Sequence, residues 1–257
     1  MAGRNGFFIL QVLAAVVCLA APAVGADWLQ ATATFYGGSD GSGTIVGACG
    51  YGNLHDQGYG TNNAALSTVL FNDGASCGQC YTIICDQRKS GMCRPGKTVT
   101  VTATNFCPPN YNLSSNNGGR GLCNPPRAHF DLSQPAWLNI STYQAGIVPI
   151  VYQRVNCRRS GGLRFTITGF KDFEVVLVTN MAGSGSIKSM SAKGTNTGWI
   201  QMSRNRGAIW HGMSGLEKQA LSFSITSTGG QNIVFQKVIP ADWQYGQTFS
   251  TRQQFDY

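Results

Sequence analysis

Short alternations of apolar and polar residues recur along the chain and predict β-strands rather than helices. Because alternation places every second side chain on the same face of a strand, each stretch can bury one face and expose the other. These stretches are residues 31–36, 98–104, 163–168, 221–226 and 232–239. The pattern therefore predicts a mostly β protein.

Helices are predicted in only two places, residues 63–71 and 136–143, and both are short. Clusters of Gly and Asn at 37–43, 50–60 and 115–121 predict long loops between the strands. Binding sites concentrate in loops that a rigid scaffold positions. We therefore expect a binding groove near these loops.

The character of the sequence changes after Cys157. The part before it is rich in Gly, Asn and Cys, whereas the part after it has no cysteine and shows short, evenly spaced alternations with a hairpin turn at 227–231. This second pattern is typical of a β-sandwich of about 100 residues. We therefore expect two domains, residues 27–160 and 161–257, the second held together by its apolar core alone.

The first 26 residues have the pattern of an export signal. Arg4 supplies the positive end, residues 7–21 form an apolar core, and the small residues 24–26 form a cleavage site before Asp27. A membrane anchor is the alternative, but the apolar run is short for a bilayer span. We therefore expect a secreted, extracellular protein.

Charge is unevenly divided between the two predicted domains. The chain has 19 Lys and Arg against 11 Asp and Glu. Residues 27–150 hold six of each sign, whereas residues 151–257 hold 12 basic and 5 acidic residues, a net charge of +7. A basic domain in an exported protein favours an acidic polysaccharide over nucleic acid as partner, and a merely solubilising charge is the alternative.

The cysteines and histidines limit the chemistry. Eight cysteines follow the export signal, an even number that indicates disulfides in an oxidising compartment and leaves 105 connectivities open. The three histidines are not paired at metal-binding spacing, so we expect no metal site. We also expect no cofactor.

Asp131 is the most informative acidic residue. It lies between Phe130 and Leu132, so partial burial should disfavour its charged form and raise its pKa. A carboxyl that keeps its proton near pH 5 can donate it to a glycosidic oxygen. The alternative is that Asp131 caps a helix that begins at Leu132.

Several motifs taken together resemble the plant expansins over essentially the whole chain after the export signal. They are Ala33–Gly37, Gly47–Gly52, Ala64–Ser67, Leu70–Gly74, Cys77–Tyr81 and His129–Ser133. Three further stretches are similar to the α-expansins in particular. They are Asn105–Asn110, Cys123–Pro126 and Ala145–Pro149.

The resemblance implies a six-stranded double-psi β-barrel, similar to family-45 endoglucanases, followed by an immunoglobulin-like β-sandwich that binds carbohydrate. It implies a monomeric protein of the plant cell wall that disrupts non-covalent contacts between cellulose and xyloglucan or another matrix glucan. Such loosening is activated by acid and occurs without hydrolysis. Two alternatives stay open: an endo-β-1,4-glucanase, and a non-catalytic barwin-like carbohydrate-binding protein.

The resemblance also implies a set of disulfides, which are Cys49–Cys77, Cys80–Cys157, Cys85–Cys93 and Cys107–Cys123. Two sequons, at Asn112 and Asn139, are candidates for glycosylation on a secretory route. Such short motifs are often unused.

In the barrel, the resemblance gives Asp131 the place of a hydrolase's general acid. The groove beside it would be lined by Thr34, Tyr36 and His129. An inverting hydrolase also needs a base carboxylate, and Gly38 stands at its position. Asp40, two residues further on, is the only local substitute. A second acid found in bacterial and β-type relatives is absent, because Ala103 stands there.

In the sandwich, the resemblance implies a flat aromatic surface for carbohydrate. Phe173 matches it, but Arg206 stands where an aromatic residue is usual. Arg206 could stack on a sugar or pair with a uronate, which would favour acidic pectin. Trp199 and Trp210 are the other candidates for this surface, and each could equally belong to the core.

Overall fold

The computed structural model describes residues 27–115, 120–170 and 173–257. The predicted export signal and part of the predicted loop 115–121 lie outside these residues. Within the described ranges, no helix has the length and apolar character needed to cross a membrane.

The first six strands close into a barrel with the order β1-β5-β2-β4-β3-β6. Strands β1 and β5 are parallel, as are β2 and β4, and the other neighbours are antiparallel. The six strands are β1 (Leu29–Tyr36), β2 (Asn63–Leu66), β3 (Cys80–Cys85), β4 (Thr98–Phe106), β5 (His129–Ser133) and β6 (Val148–Val155). The predicted strands 31–36 and 98–104 are thus β1 and most of β4.

The predicted helix at 63–71 is wrong in its first half. Asn63–Leu66 forms β2, which lies between β4 and β5 with all four residues buried. A strand buried on both faces shows no alternation, so the run resembled a helix. Only Thr68–Phe71 is helical, and we call it α1.

The second predicted helix is present as α2 (Gln134–Ile140). The Ser133 hydroxyl accepts a hydrogen bond from the Ala136 amide, and Pro135 occupies the first turn. The helix cap is therefore Ser133. Asp131 lies within β5, so its alternative reading as a cap is wrong.

Two further sheets pack face to face around a shared apolar core. One has the order β10-β9-β13-β14 and the other β11-β12-β8-β7-β15. Their strands are β7 (Arg164–Phe170), β8 (Phe173–Thr179), β9 (Ile187–Lys193), β10 (Ile200–Gln201), β11 (Ser203–Arg206), β12 (Ile209–His211), β13 (Leu221–Ser227), β14 (Asn232–Ile239) and β15 (Thr248–Ser250). In the core, the rings of Phe165 and Phe223 stack with centroids 4.8 Å apart.

Four disulfides are present, with the pairings that the family resemblance implied. Cys49–Cys77, Cys85–Cys93 and Cys107–Cys123 lie within the barrel part of the chain. Cys80–Cys157 ties β3 to the segment that follows β6. No cysteine follows this segment, so the two-sheet part has no covalent cross-link of its own.

Barrel and sandwich meet through close backbone contacts. Gly207 has a φ of +50°, and a Cβ built on it would lie 2.5 Å from Cys49 Cα. The Ala208 amide donates to the Cys49 carbonyl at 2.9 Å. Only glycine permits this approach, since any larger residue would collide with the barrel backbone.

Candidate functional site

Strand pairing brings Thr34 and Asp131 together. The two residues are aligned in the parallel pair β1–β5, and the Thr34 hydroxyl donates to Asp131 Oδ1 at 2.7 Å. On the other side of Asp131, strand β2 presents Ala65 in register. The carboxyl therefore lies beside one hydroxyl and one small apolar side chain.

The environment of Asp131 favours its protonated form. Burial raises the pKa of this carboxyl above its ordinary value, and the hydrogen bond from Thr34 offsets part of that rise. The predicted direction of the pKa shift is thus confirmed. A carboxyl of this kind holds its proton at a higher pH than an exposed aspartate does.

Tyr36 and Asn105 extend this site. The Asn105 side-chain amide, from β4, donates to the Tyr36 hydroxyl at 3.4 Å. The pKa of Tyr36 is raised, mainly by burial and to a smaller extent by the negative charge of Asp131. Tyr36 therefore remains a neutral hydroxyl. Asn105 was not among the predicted site residues, because nothing in the strand pattern places it beside Tyr36.

His129 does not line the groove as predicted. It is fully buried, and its two ring nitrogens bond to the hydroxyls of Thr32 and Thr34, each at 2.8 Å. Burial, with the nearby charge of Arg127, lowers the pKa of His129 to about 4. A side chain with no exposed surface cannot touch a polymer, so His129 acts behind the groove and not in it.

The loop after β1 contains Gly38, the residue that the family resemblance puts at the position of a base carboxylate. A Cβ built on Gly38 would lie 2.9 Å from Asp40 Oδ1, so the Asp40 carboxylate is next to Gly38. Asp40 is exposed and accepts a hydrogen bond from the Ser42 amide at 2.8 Å. Its pKa is lowered, chiefly by a hydrogen bond from the Ser42 side chain. Ala103 is fully buried in the barrel core.

Three aromatic rings form a row on the five-stranded sheet, which we call the aromatic strip. Phe170 and Phe173 are 64% and 41% exposed, with centroids 5.9 Å apart. The His211 ring lies 6.2 Å beyond Phe173 and nearly parallel to it. Only Phe173 was predicted, since Phe170 and His211 carry no signal in the sequence that separates them from ordinary strand residues.

The other predicted residues of this surface are more scattered. Arg206 is exposed on β11, in the same sheet as the strip. Trp199 is exposed, but it directly precedes β10 in the opposite sheet. The prediction for Trp210 is wrong: it is buried in the sandwich core beneath the Arg204 guanidinium, 4.6 Å from the ring centroid.

A cavity of about 720 Å³ opens between the barrel wall and the segment that leads to the sandwich, and we call it the junction cavity. Its charged lining residues are Arg158 and Arg159, and no Asp or Glu is among the described residues that line it. Arg159 is held over the Tyr59 ring at 4.6 Å and donates to Thr102 at 2.8 Å. Arg158 is exposed and makes no hydrogen bond or ion pair with the described residues.

Among the described residues, no group of His, Cys, Asp and Glu side chains is arranged to hold a metal ion.

Comparison with known proteins identifies the class. A family model described as the expansin C-terminal domain matches residues 163–240, and a double-psi β-barrel model described as lytic transglycolase matches residues 63–152. A closed barrel of this type followed by that C-terminal domain defines an expansin-type protein. The predicted fold class is therefore confirmed.

Full-length relatives place the chain more closely. Expansin-A19 of Oryza sativa subsp. japonica is 66% identical over 253 residues, 98% of this chain and 100% of that protein. Expansin-A7 of Arabidopsis thaliana is 50% identical over 229 residues, 89% of this chain and 86% of that protein. The chain belongs to the plant expansin family, as an α-expansin, and is a cell wall-loosening protein.

A solved structure shares the two-part architecture. A mutant Clavibacter michiganensis expansin in complex with cellohexaose has a TM-score of 0.66 with this chain, at 19% sequence identity, and the match covers 89% of this chain and 98% of that one. At this identity, the similarity supports the fold.

Proposed function

We propose that this α-expansin loosens plant cell walls by separating hydrogen-bonded glucan chains without cutting them. The working contacts would be those between cellulose and xyloglucan or another matrix glucan. The observation that carries the proposal is the half-buried Asp131 carboxyl, held by Thr34 at 2.7 Å and with a raised pKa. In acid it carries a proton that it can donate to an oxygen of a bound glucan chain, which would weaken the hydrogen bonds joining two chains; an amide has no such proton to transfer.

The absence of hydrolysis follows from the second carboxylate position. An inverting hydrolase needs a base that activates a water on the far side of the sugar from the acid. Gly38 provides no such group, and the adjacent Asp40 is exposed and has a lowered pKa, which weakens it as a base. The groove is then left with an acid and hydroxyls, which can bind a chain but not deliver water to it.

The decisive experiment measures creep of heat-inactivated, acidified plant walls beside release of reducing ends from a soluble glucan. We expect Asp131→Ala and Asp131→Asn to lose creep while keeping the fold. The matched control is Asp242→Asn, which removes an exposed carboxylate from the sandwich and should retain creep. Full creep by the Asp131 variants would exclude this mechanism, and new reducing ends that are lost in Asp40→Ala would instead establish hydrolysis.

The pH profile follows from the same group. Because burial raises the pKa of Asp131, its protonated fraction grows as the pH falls from about 7 to about 4, and creep should grow with it. A flat profile over this range would contradict the role given to Asp131.

The aromatic strip is the proposed carbohydrate surface of the sandwich. Phe170, Phe173 and His211 provide apolar faces in a row, on which sugar rings could stack. Arg206 in the same sheet replaces an aromatic contact with a cation. If the Arg206→Trp variant binds cellulose more tightly than the parent, the natural arginine weakens cellulose binding. Equal binding by the two proteins would mean that the arginine has no effect on it.

An acidic polysaccharide such as pectin is the proposed second partner. The junction cavity supports it, because Arg158 and Arg159 face a space whose other lining residues are uncharged. An oligogalacturonate should bind roughly threefold more weakly to Arg158→Gln, as expected for loss of one partly exposed ion pair. The control Arg252→Gln removes an exposed charge away from the cavity and should bind normally. Equal losses in both variants would indicate general charge attraction only.

The remaining proposals concern processing. Residues 1–26 would direct export to the wall, where the protein would act as a monomer. Asn112 and Asn139 are both exposed, although the Asn139 amide donates to the Pro135 carbonyl at 2.9 Å. Mass spectrometry of the protein purified from plant walls tests the cleavage site and both sequons together.

A further inference from the structure

Four hydrogen bonds connect a surface arginine to the acid of the groove. Arg127 Nε donates to Thr32 Oγ1 at 3.3 Å, and Thr32 Oγ1 lies 2.8 Å from His129 Nδ1. His129 Nε2 lies 2.8 Å from Thr34 Oγ1, which donates to Asp131 Oδ1 at 2.7 Å. The groups form one unbroken row behind the groove.

Counting protons fixes the direction of every bond in this row. A threonine hydroxyl has a single proton, and that of Thr34 is given to Asp131. The Thr34 oxygen must therefore accept a hydrogen bond from His129 Nε2–H. In a neutral ring Nδ1 is then the acceptor, so the Thr32 hydroxyl donates a hydrogen bond to it. Thr32 in turn accepts a hydrogen bond from Arg127.

The imidazole is neutral under the conditions in which the groove acts. Burial and the charge of Arg127 lower the pKa of His129 to about 4, so the ring carries no charge in a mildly acidic wall. Only one neutral tautomer, with the proton on Nε2, satisfies both threonines. A charged ring would have a proton on Nδ1 facing Thr32 as well.

Few other titratable or charged groups near Asp131 could influence its protonation. Strand β1 contributes Tyr36, and β5 with the residues before it contributes His129 and Arg127. Strand β2, on the opposite side, contributes only alanine and leucine side chains in register with β5. The His129 backbone is also fixed, since its amide donates to the Ser67 hydroxyl at 3.1 Å.

We infer that His129 is a positioning residue that holds the Thr34 hydroxyl as a donor to Asp131. Without the hydrogen bond from Nε2–H, the Thr34 hydroxyl is free to rotate and donate its own hydrogen bond elsewhere. Asp131 then loses a hydrogen bond that favours its charged form, and its titration moves to higher pH. The inference rests on the proposed function only in taking Asp131 as the group whose protonation controls creep.

A double-variant comparison of creep against pH tests whether His129 acts through Thr34. We expect His129→Leu and Thr34→Val each to move the midpoint of the profile to higher pH, with a lower maximum rate. Because both remove the same donor, the combined variant should show the shift of Thr34→Val alone. His129→Gln, which keeps an N–H that can reach Thr34, should restore part of the parent profile.

Two results would overturn the inference. One is a His129→Leu variant with the parent midpoint, and the other is a His129→Leu shift of full size in the Thr34→Val background. Either would mean that His129 supports the fold without controlling Thr34.

Measurement on the unmodified protein avoids variants that fold poorly. Nitrogen-15 NMR of the His129 ring distinguishes the two neutral tautomers and the charged form. At about pH 5 we expect a neutral ring with its proton on Nε2. A proton on Nδ1 would exclude the proposed row even if Asp131→Asn abolishes creep. Conversely, creep by Asp131→Asn would exclude the proposed function while the tautomer still stood.

Discussion

The barrel and the sandwich are stabilised in different ways. Three disulfides lie within the barrel part and a fourth fixes the segment after β6, whereas the sandwich has none. The barrel holds the buried His129 and two partly buried threonine hydroxyls in a hydrogen-bonded row, whereas the sandwich core is built around packed rings such as Phe165 and Phe223. The barrel therefore holds polar groups in place at some cost in stability, and its cross-links offset that cost.

The difference also separates two modes of carbohydrate contact. In the barrel, directional hydrogen bonds from Asp131, which Thr34 holds, and from Tyr36 would act on a chain. In the sandwich, the exposed faces of Phe170 and Phe173 offer contact that depends little on direction. We expect the first to decide whether the wall yields and the second to decide how long the protein stays bound.

The largest expected effect comes from reducing the disulfides. Each removed bridge should cost the barrel about 2–5 kcal/mol, while the sandwich loses no bridge of its own. Hydrogen exchange of the reduced and oxidised protein in urea reports the two parts separately. Equal loss of protection in both would show that they unfold as one unit.

Truncating the sandwich core should come next. Phe165 is fully buried against Phe223 and Phe235, so Phe165→Ala should lower the free energy of unfolding by about 3–5 kcal/mol. Urea denaturation measures this change. The matched control is Phe170→Ala, since an exposed ring should change stability by less than about 0.5 kcal/mol. Similar losses in both would contradict the assigned core.

Acid should weaken the barrel through His129. Its folded pKa of about 4 lies below the ordinary 6.5, so the unfolded chain binds a proton first as the pH falls. Between about pH 6.5 and pH 4 the barrel should lose about 3 kcal/mol, and His129→Gln should remove this loss. Denaturation at a series of pH values measures it.

Asp131 works against this loss, because its raised pKa makes the folded state bind a proton before the unfolded chain does. The clean comparison is therefore made in an Asp131→Asn background. His55→Gln, at an exposed histidine, is the control that should leave the slope unchanged. A slope that persists in His129→Gln would place its origin elsewhere.

The smallest effect is expected at the aromatic strip. Phe173→Ala should weaken cellulose binding by about two- to tenfold, the worth of one aromatic contact of about 0.5–1.5 kcal/mol. Trp199→Ala, beside the opposite sheet, should bind like the parent. Pull-down on microcrystalline cellulose measures both. If the Trp199 variant alone binds weakly, the binding face of the sandwich is the four-stranded sheet.

Sequence patterns predicted the fold where one face of a strand is buried and the other exposed. Strands β7, β13 and β14 lie where alternation placed them. Strand β2 was missed because both of its faces are buried, which removes the alternation. A strand with one exposed face can be recognised from its alternating sequence, whereas a strand buried on both faces cannot.

The residues of the site could be predicted from the sequence, but how deeply each is buried could not. The family resemblance groups Thr34, His129 and Asp131, and in the structure both His129 and Asp131 contact Thr34. It does not show that His129 is fully covered whereas Asp131 is only half-buried. Burial along a strand depends on neighbours distant in sequence, such as Thr32 and Ser67, which only the closed barrel brings together.

The close seating of Gly207 against Cys49 has a mechanical consequence. Two parts joined by a loose tether can each release a polymer independently, whereas parts seated backbone to backbone must move as one body. A glucan held on the sandwich then finds the groove at a fixed offset, which raises its local concentration there. The groove and the sandwich would therefore act on one glucan chain together, and a chain bound to the sandwich would stay within reach of the groove.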